Sequence, residues 1–189
     1  MRNRCSGGRL KEENPFTSKD PAMSQTDQQE DRTRVWEMMK RIGFCMFSSL
    51  DGEEIRSRPM AAHVEADEGT IYFLTDADSA KDEEVEAHPQ VNLAFADAGS
   101  HSYVSLTGRA VVSNDREKIR DLFNTPAKAW WDSPEDPAIR VLKVTPVDAQ
   151  YWDSPGRVRA MLRMAAAAVT SSRPDMGDNA KVEMEGASG

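Results

Sequence analysis

Basic residues are in short supply: 24 Lys and Arg stand against 32 Asp and Glu, for a net charge of −8. Polyanions are held by clustered Lys and Arg, so no nucleic-acid partner is expected. Long apolar runs are also missing. None approaches the roughly 20 residues that span a bilayer as a helix, so no membrane partner is expected. Near the start, Arg2, Arg4 and Arg9 are followed by polar residues, not by the apolar core of a secretory signal. Cysteine occurs only at Cys5 and Cys45. One lies in a polar tail and the other in an apolar stretch, which argues against a structural bridge. There is no CxxC and no Cys/His cluster, so no metal site is expected. Two lone thiols fit a reducing cytoplasm. Histidine is limited to His63, His88 and His101, none of which has a partner at helical spacing for a metal.

What is present is a chain of 189 residues, room for one domain with tails. Residues 1–30 are so polar that a disordered tail is expected. The folded domain is expected over 31–157. Residues 158–189 read as a helix and a loosely held tail, in which Val182 and Met184 pin a short extended piece.

Val35, Met38, Met39 and Ile42 recur at helical spacing, predicting a helix that Asp31 or Thr33 caps and Gly43 ends. Apolar alternation then predicts strands over 44–50, 53–64, 70–75, 90–95 and 102–112. A last strand or strand pair covers 139–144 and 149–152. Asp51-Gly52 marks a hairpin, and residues 67–69 a second turn. Brief helices are expected over 79–87, stopped at His88-Pro89, and over 115–123, capped by Asn114 or Ser113. This pattern predicts a mainly β, α+β fold: a six-stranded antiparallel barrel with short flanking helices.

The chemistry concentrates on residues 56–81. A strand ends at Thr75, a short polar turn follows, and Ser79 and Lys81 open a helix. A helix start carrying a hydroxyl and an ammonium suits a phosphate. A helix cap and a surface lysine would read the same way. Arg56 and Arg58 share one strand face and either grip an anion or pair with Glu53, Glu54 or Glu65. Pro59 belongs at a strand edge, which leaves backbone groups free for a flat ligand. Trp130, Trp131 and Trp152 either cover a planar ring or bury area. His63 follows the same strand and reads as a ligand neighbour or a packing residue.

With these residues in view, the chain resembles the pyridoxamine 5′-phosphate oxidase-like superfamily of FMN-binding split barrels, and within it the general stress protein 26 family. The resemblance spans residues 34–157. It is carried by Ser57-Arg58-Pro59-Met60, Phe73-Leu74-Thr75, Ser79-Ala80-Lys81, His88-Pro89-Gln90-Val91, Tyr103-Val104-Ser105-Leu106-Thr107-Gly108, Trp130-Trp131 and Ala149-Gln150-Tyr151-Trp152.

The resemblance implies a six-stranded split barrel, a homodimer, and FMN in a cleft between subunits. It implies that Arg58, Ser79 and Lys81 hold the phosphate. Pro59, Met60 and Ala61 would line the isoalloxazine, and Leu74 and Thr75 would lie beneath the ring and ribityl chain. Tyr103 and Trp152 would reach the flavin, Trp152 from the partner subunit. The implied function is an FMN-dependent oxidoreductase with an unknown redox substrate. The alternative is a non-catalytic flavin carrier, buffer or sensor. Ala80 stands where the true oxidases carry arginine, and Ser154-Pro155-Gly156-Arg157-Val158-Arg159 lacks their histidine-bearing basic stretch. Both departures argue against oxidation of pyridoxamine phosphate.

Overall fold

The computed structural model describes residues 25–77, 80–124, 127–153 and 178–184. Helix α1 (Gln25–Ile42) begins ahead of the expected caps. Thr33 does not cap it; its Oγ1 donates to the Gln29 carbonyl at 3.0 Å, back along the helix. Gly43 ends α1 as expected. Its φ is +71°, and its N–H closes on the Met39 carbonyl at 2.9 Å.

Among the described residues, eight strands follow where six were expected. They are β1 (Phe44–Asp51), β2 (Glu54–Ala61), β3 (His63–Glu65), β4 (Thr70–Asp76), β5 (Gln90–Asp97), β6 (Ser102–Ser113), β7 (Ile139–Asp153) and β8 (Asp178–Glu183). All belong to one antiparallel sheet in the order β2-β1-β5-β6-β7-β4-β3, with β8 added to β7. Two differences account for the count. The stretch 53–64 is not one strand, because Ala62 breaks it by donating its N–H to the Gly43 carbonyl at 2.8 Å. On one side of that break β2 pairs with β1, and on the other β3 pairs with β4. The two ends of the sheet are thus adjacent in sequence, and the barrel is split between them. The second difference is β8, the short extended piece expected around Val182 and Met184, which here joins the sheet as a strand. It pairs with β7 from Asp148 to Asp153, and buries Val182. The expected pair 139–144 and 149–152 is the single long strand β7.

Period-2 alternation sorts the faces. Cys45, Phe47, Ile71, Phe73, Leu93, Phe95, Val104, Leu106 and Tyr151 point into one core with Val35, Met38 and Met39 of α1. Phe47 and Phe73 meet edge to face at 5.5 Å. Gly108 sits at a register shift between β6 and β7, where a Cβ would meet Val144 Cγ1 at 2.7 Å. Only glycine allows that approach of backbone to side chain.

Helix α2 (Ala80–Ala87) contributes Val85 to the same core. Helix α3 (Arg116–Leu122) packs Ile119 and Leu122 on the outer face of β4 and β7, against Tyr72, Ile139 and Val141. Its cap is Asp115, whose Oδ1 accepts from Lys118 N at 3.0 Å, not Asn114 or Ser113. Asn114 is instead bound to Arg116. Among the described residues, no helix is long and apolar enough to cross a membrane.

Candidate functional site

The split in the barrel is a cleft of about 520 Å³. Its walls are the end of β2 and the break after it (Pro59, Met60, Ala61, Ala62, His63) and the end of β4 (Leu74, Thr75, Asp76). The α1–β1 corner closes one side (Ile42, Gly43, Phe44), and the segment after α3 forms the outer rim (Asn124, Ala127, Trp130, Trp131). The lining is largely apolar. Because β2 ends the sheet, its outer edge has no strand neighbour among the described residues, and an edge of that kind leaves backbone hydrogen-bonding groups free.

Five of the ten residues singled out in the sequence converge on this cleft: Pro59, Met60, Ala61, Leu74 and Thr75. Arg58, Tyr103 and Trp152 do not line it. Ser79 lies outside the described residues. Lys81 lies in the first turn of α2. Arg58, next to Pro59, turns to the inner side of the sheet. Its Nη1 and Nη2 donate to Glu84 Oε2 and Oε1 at 2.8 and 2.5 Å. Ser49 Oγ donates to the same Oε2 at 2.5 Å. The Glu84 side chain is only 4% exposed. Removing one member of such a buried pair costs roughly 3–5 kcal/mol, because it strands the other charge. Hydrogen bonding to Glu84 raises the Arg58 guanidinium above its ordinary value.

Tyr103 and Trp152 sit opposite each other in the β6–β7 ladder, both part-exposed. Thr75 pairs with Arg140, and Trp152 lies twelve residues further along the same strand. Neither Tyr103 nor Trp152 lines the cleft of its own chain.

The structure adds residues the sequence did not single out as a group. Glu84 and Ser49 gave no signal, since nothing in the sequence marks Glu84 as buried. Asp76 accepts a hydrogen bond from Trp131 Nε1 at 2.8 Å. This bond ties the rim to the end of β4, where Ala77 N also meets the Ala138 carbonyl at 2.7 Å. Trp131 is part-buried against the α3 cluster, while Trp130 stands 80% exposed at the rim. His63 is half-buried in the wall. Burial lowers its pKa, and the nearby charge of Glu65 offsets part of that effect.

A flat ring system fits these residues. The cleft offers apolar surfaces on two sides and an unpaired strand edge for polar ring atoms.

Comparison with known proteins extends this geometry. Residues 30–175 match a family model described as "Pyridoxamine 5'-phosphate oxidase like". Protein bli-3 of Neurospora crassa is 27% identical over 143 residues, covering 69% of this chain and 68% of that protein. A crystal structure from Jannaschia sp. CCS1, assigned to general stress protein 26, superposes with a TM-score of 0.68 at 29% identity. That match covers 82% of this chain and 98% of the other. The general stress FMN/FAD binding protein of Xanthomonas citri gives a TM-score of 0.59 at 29% identity, covering 66% of this chain and 89% of that one.

Proposed function

The chain belongs to the pyridoxamine 5′-phosphate oxidase-like family, and from that premise we propose that it is an FMN-dependent oxidoreductase of the general stress protein 26 type. The observation that carries this reading is the cleft at the split of the barrel, with apolar walls and an unpaired strand edge. The Xanthomonas citri relative is described as an FMN/FAD binding protein, which supports a flavin. FMN in particular is our proposal.

The bound flavin supplies hydride and electron transfer. The chain's own residues hold and shield it. Backbone groups of Pro59, Met60 and Ala61 meet the ring's polar edge. Leu74 and Thr75 support the ring and ribityl chain. Ser79 and Lys81 take the phosphate.

The remaining sequence candidates, Tyr103 and Trp152, come from a second copy. Support for a homodimer lies in the outward face of the sheet. Phe44 and Met46 of β1, Tyr103 of β6 and Trp152 of β7 are all exposed there, at 60%, 41%, 36% and 37%. Between them lie Ala94 and Ala96, in register with Met46 and Tyr103. Two cysteines with no bridging pattern suit a reducing cytoplasm, the compartment we propose.

The absorption spectrum of the purified protein tests the reading. Flavin bands and release of FMN, not FAD, on denaturation are expected. A colourless protein that takes up no added FMN would refute it. The sequence departures at Ala80 and at residues 154–159 leave pyridoxamine phosphate an unsuitable substrate and favour a second reading, a flavin carrier, buffer or sensor. Steady NAD(P)H oxidation by the loaded protein selects the enzyme. Bound flavin that no physiological donor reduces selects the carrier.

A further inference from the structure

We propose that the rim of the cleft, where Trp130 stands beside Trp131 and Asp76, is a binding subsite for a second ligand: a planar ring that carries positive charge. That this ligand is the second, bound next to a flavin, rests on the reading proposed above.

The rim is a fixed turn that holds one indole out. Trp130 N and Trp131 N both close on the Ala127 carbonyl at 3.0 Å. Lys128 N closes on the Asn124 carbonyl at 3.2 Å, and Ala127 N on Asn124 Oδ1 at 3.4 Å. Trp131 Nε1 donates to Asp76 Oδ1 at 2.8 Å, which pins the turn to the end of β4. Trp131 also packs on the α3 cluster, so one of the two indoles fastens the rim. The other, Trp130, lines the cleft and is 80% exposed. An indole gains most from burial against a flat partner, and a rigid turn that leaves one in water at a cleft mouth has it placed for a ligand.

Charge names the class of that ligand. Among the described residues that line the cleft, the ionisable side chains are Asp76 and His63, with no lysine or arginine. Burial lowers the pKa of His63, so it adds little positive charge at neutral pH. The cations of the neighbouring segments are engaged elsewhere. Arg116 donates to the Asp136 and Ile139 carbonyls at 2.8 and 2.9 Å, Arg120 to Glu135, and Arg140 to the Pro137 carbonyl at 2.7 Å. Lys128 is exposed and takes no part in the lining. Asp76 therefore sets the sign of the rim. The face of an indole and a carboxylate both attract a cationic ring, and both repel an anionic one.

Three probes built on one ring test this: nicotinamide methylated on its ring nitrogen (cationic), nicotinamide (neutral) and nicotinate (anionic). Each is titrated into the full chain, with and without FMN, while the indole N–H signals of Trp130 and Trp131 are followed by NMR. The cation is expected to bind about fivefold more tightly than nicotinate, with nicotinamide between them. Trp130→Ala is expected to weaken the cation by about fivefold, read at Trp131. Asp76→Asn keeps an acceptor for Trp131 and removes the charge, so it brings cation and anion to within about twofold. Nicotinate binding as tightly as the cation would overturn the proposal. So would an affinity unchanged in Trp130→Ala, a charge preference unchanged in Asp76→Asn, or indole signals that no probe moves at millimolar concentration. Loss of the response on loading FMN would also overturn it, because Trp130 would then be covering the flavin itself. If the protein takes up no FMN, the flavin reading fails, and the titration of the flavin-free chain still decides whether the rim takes a cationic ring.

Discussion

Arg56 and Arg58 stand two residues apart on one strand face, yet their surroundings differ entirely. Arg56 is about half exposed and pairs with Asp51 and Glu54 at the hairpin, a surface arrangement worth roughly 0–1 kcal/mol. Arg58 meets a buried carboxylate. The sequence makes both candidates for holding an anion, because alternation reports a shared face but not what covers it. His63 shows the same limit. Its place in the cleft wall follows from the break at Ala62, which a run of strand-forming residues does not announce. Burial sets its folded pKa below the unfolded value of about 6.5. The unfolded chain then binds more protons in that window, so this histidine makes stability fall as pH drops through and below pH 6.5. Wild type is expected to lose more stability than His63→Gln between pH 7.5 and 5, measured by urea midpoints. Parallel pH profiles for the two proteins would show that His63 is not held neutral by burial.

Among the elements, the first helix, the Gly43 stop, the Gly52 and Gly69 turns and the central strands follow from local pattern. Gly52 and Gly69 take φ of +63° and +60°, the conformation that favours glycine at tight turns. Strand β8 does not follow in the same way. Its six residues, Asp178–Glu183, carry little apolar content, and only the register with β7 gives them a partner. The two apolar positions noted in the tail, Val182 and Met184, are both buried, at 3% and 6% exposure. Met184 N also donates to the Val147 carbonyl at 2.9 Å. Met184→Ala is therefore expected to destabilise the fold by roughly 2–4 kcal/mol. A shift in the denaturation midpoint worth less than about 0.5 kcal/mol would mean the segment contributes no packing to the core, as for an exposed position.

At the scale of the whole molecule, one sheet face is unusually apolar for a surface open to water. Phe44, Met46, Tyr103 and Trp152 lie on it, each more than a third exposed. A second copy covering this face would also explain why Trp152 carries the family resemblance without lining its own cleft. Met46→Glu is expected to convert a dimer to a monomer in sedimentation velocity, since it places an unpaired charge in the centre of that interface. If the partner's Trp152 completes the site, FMN affinity falls with the dimer. Monomeric wild-type protein at micromolar concentration would sink the idea.

The sequence by itself determined the strand and helix types, the barrel class and the family, because alternation, glycine turns and ordered short motifs are local properties of the chain. Half of the candidate residues it singled out line one cleft, because strand ends carry their side chains to predictable places. Only the tertiary structure decided that one predicted strand divides to join both ends of the sheet, that a tail segment completes it, and that Arg58 belongs to Glu84. Those outcomes depend on burial and on partners far away in the chain, which no local pattern encodes.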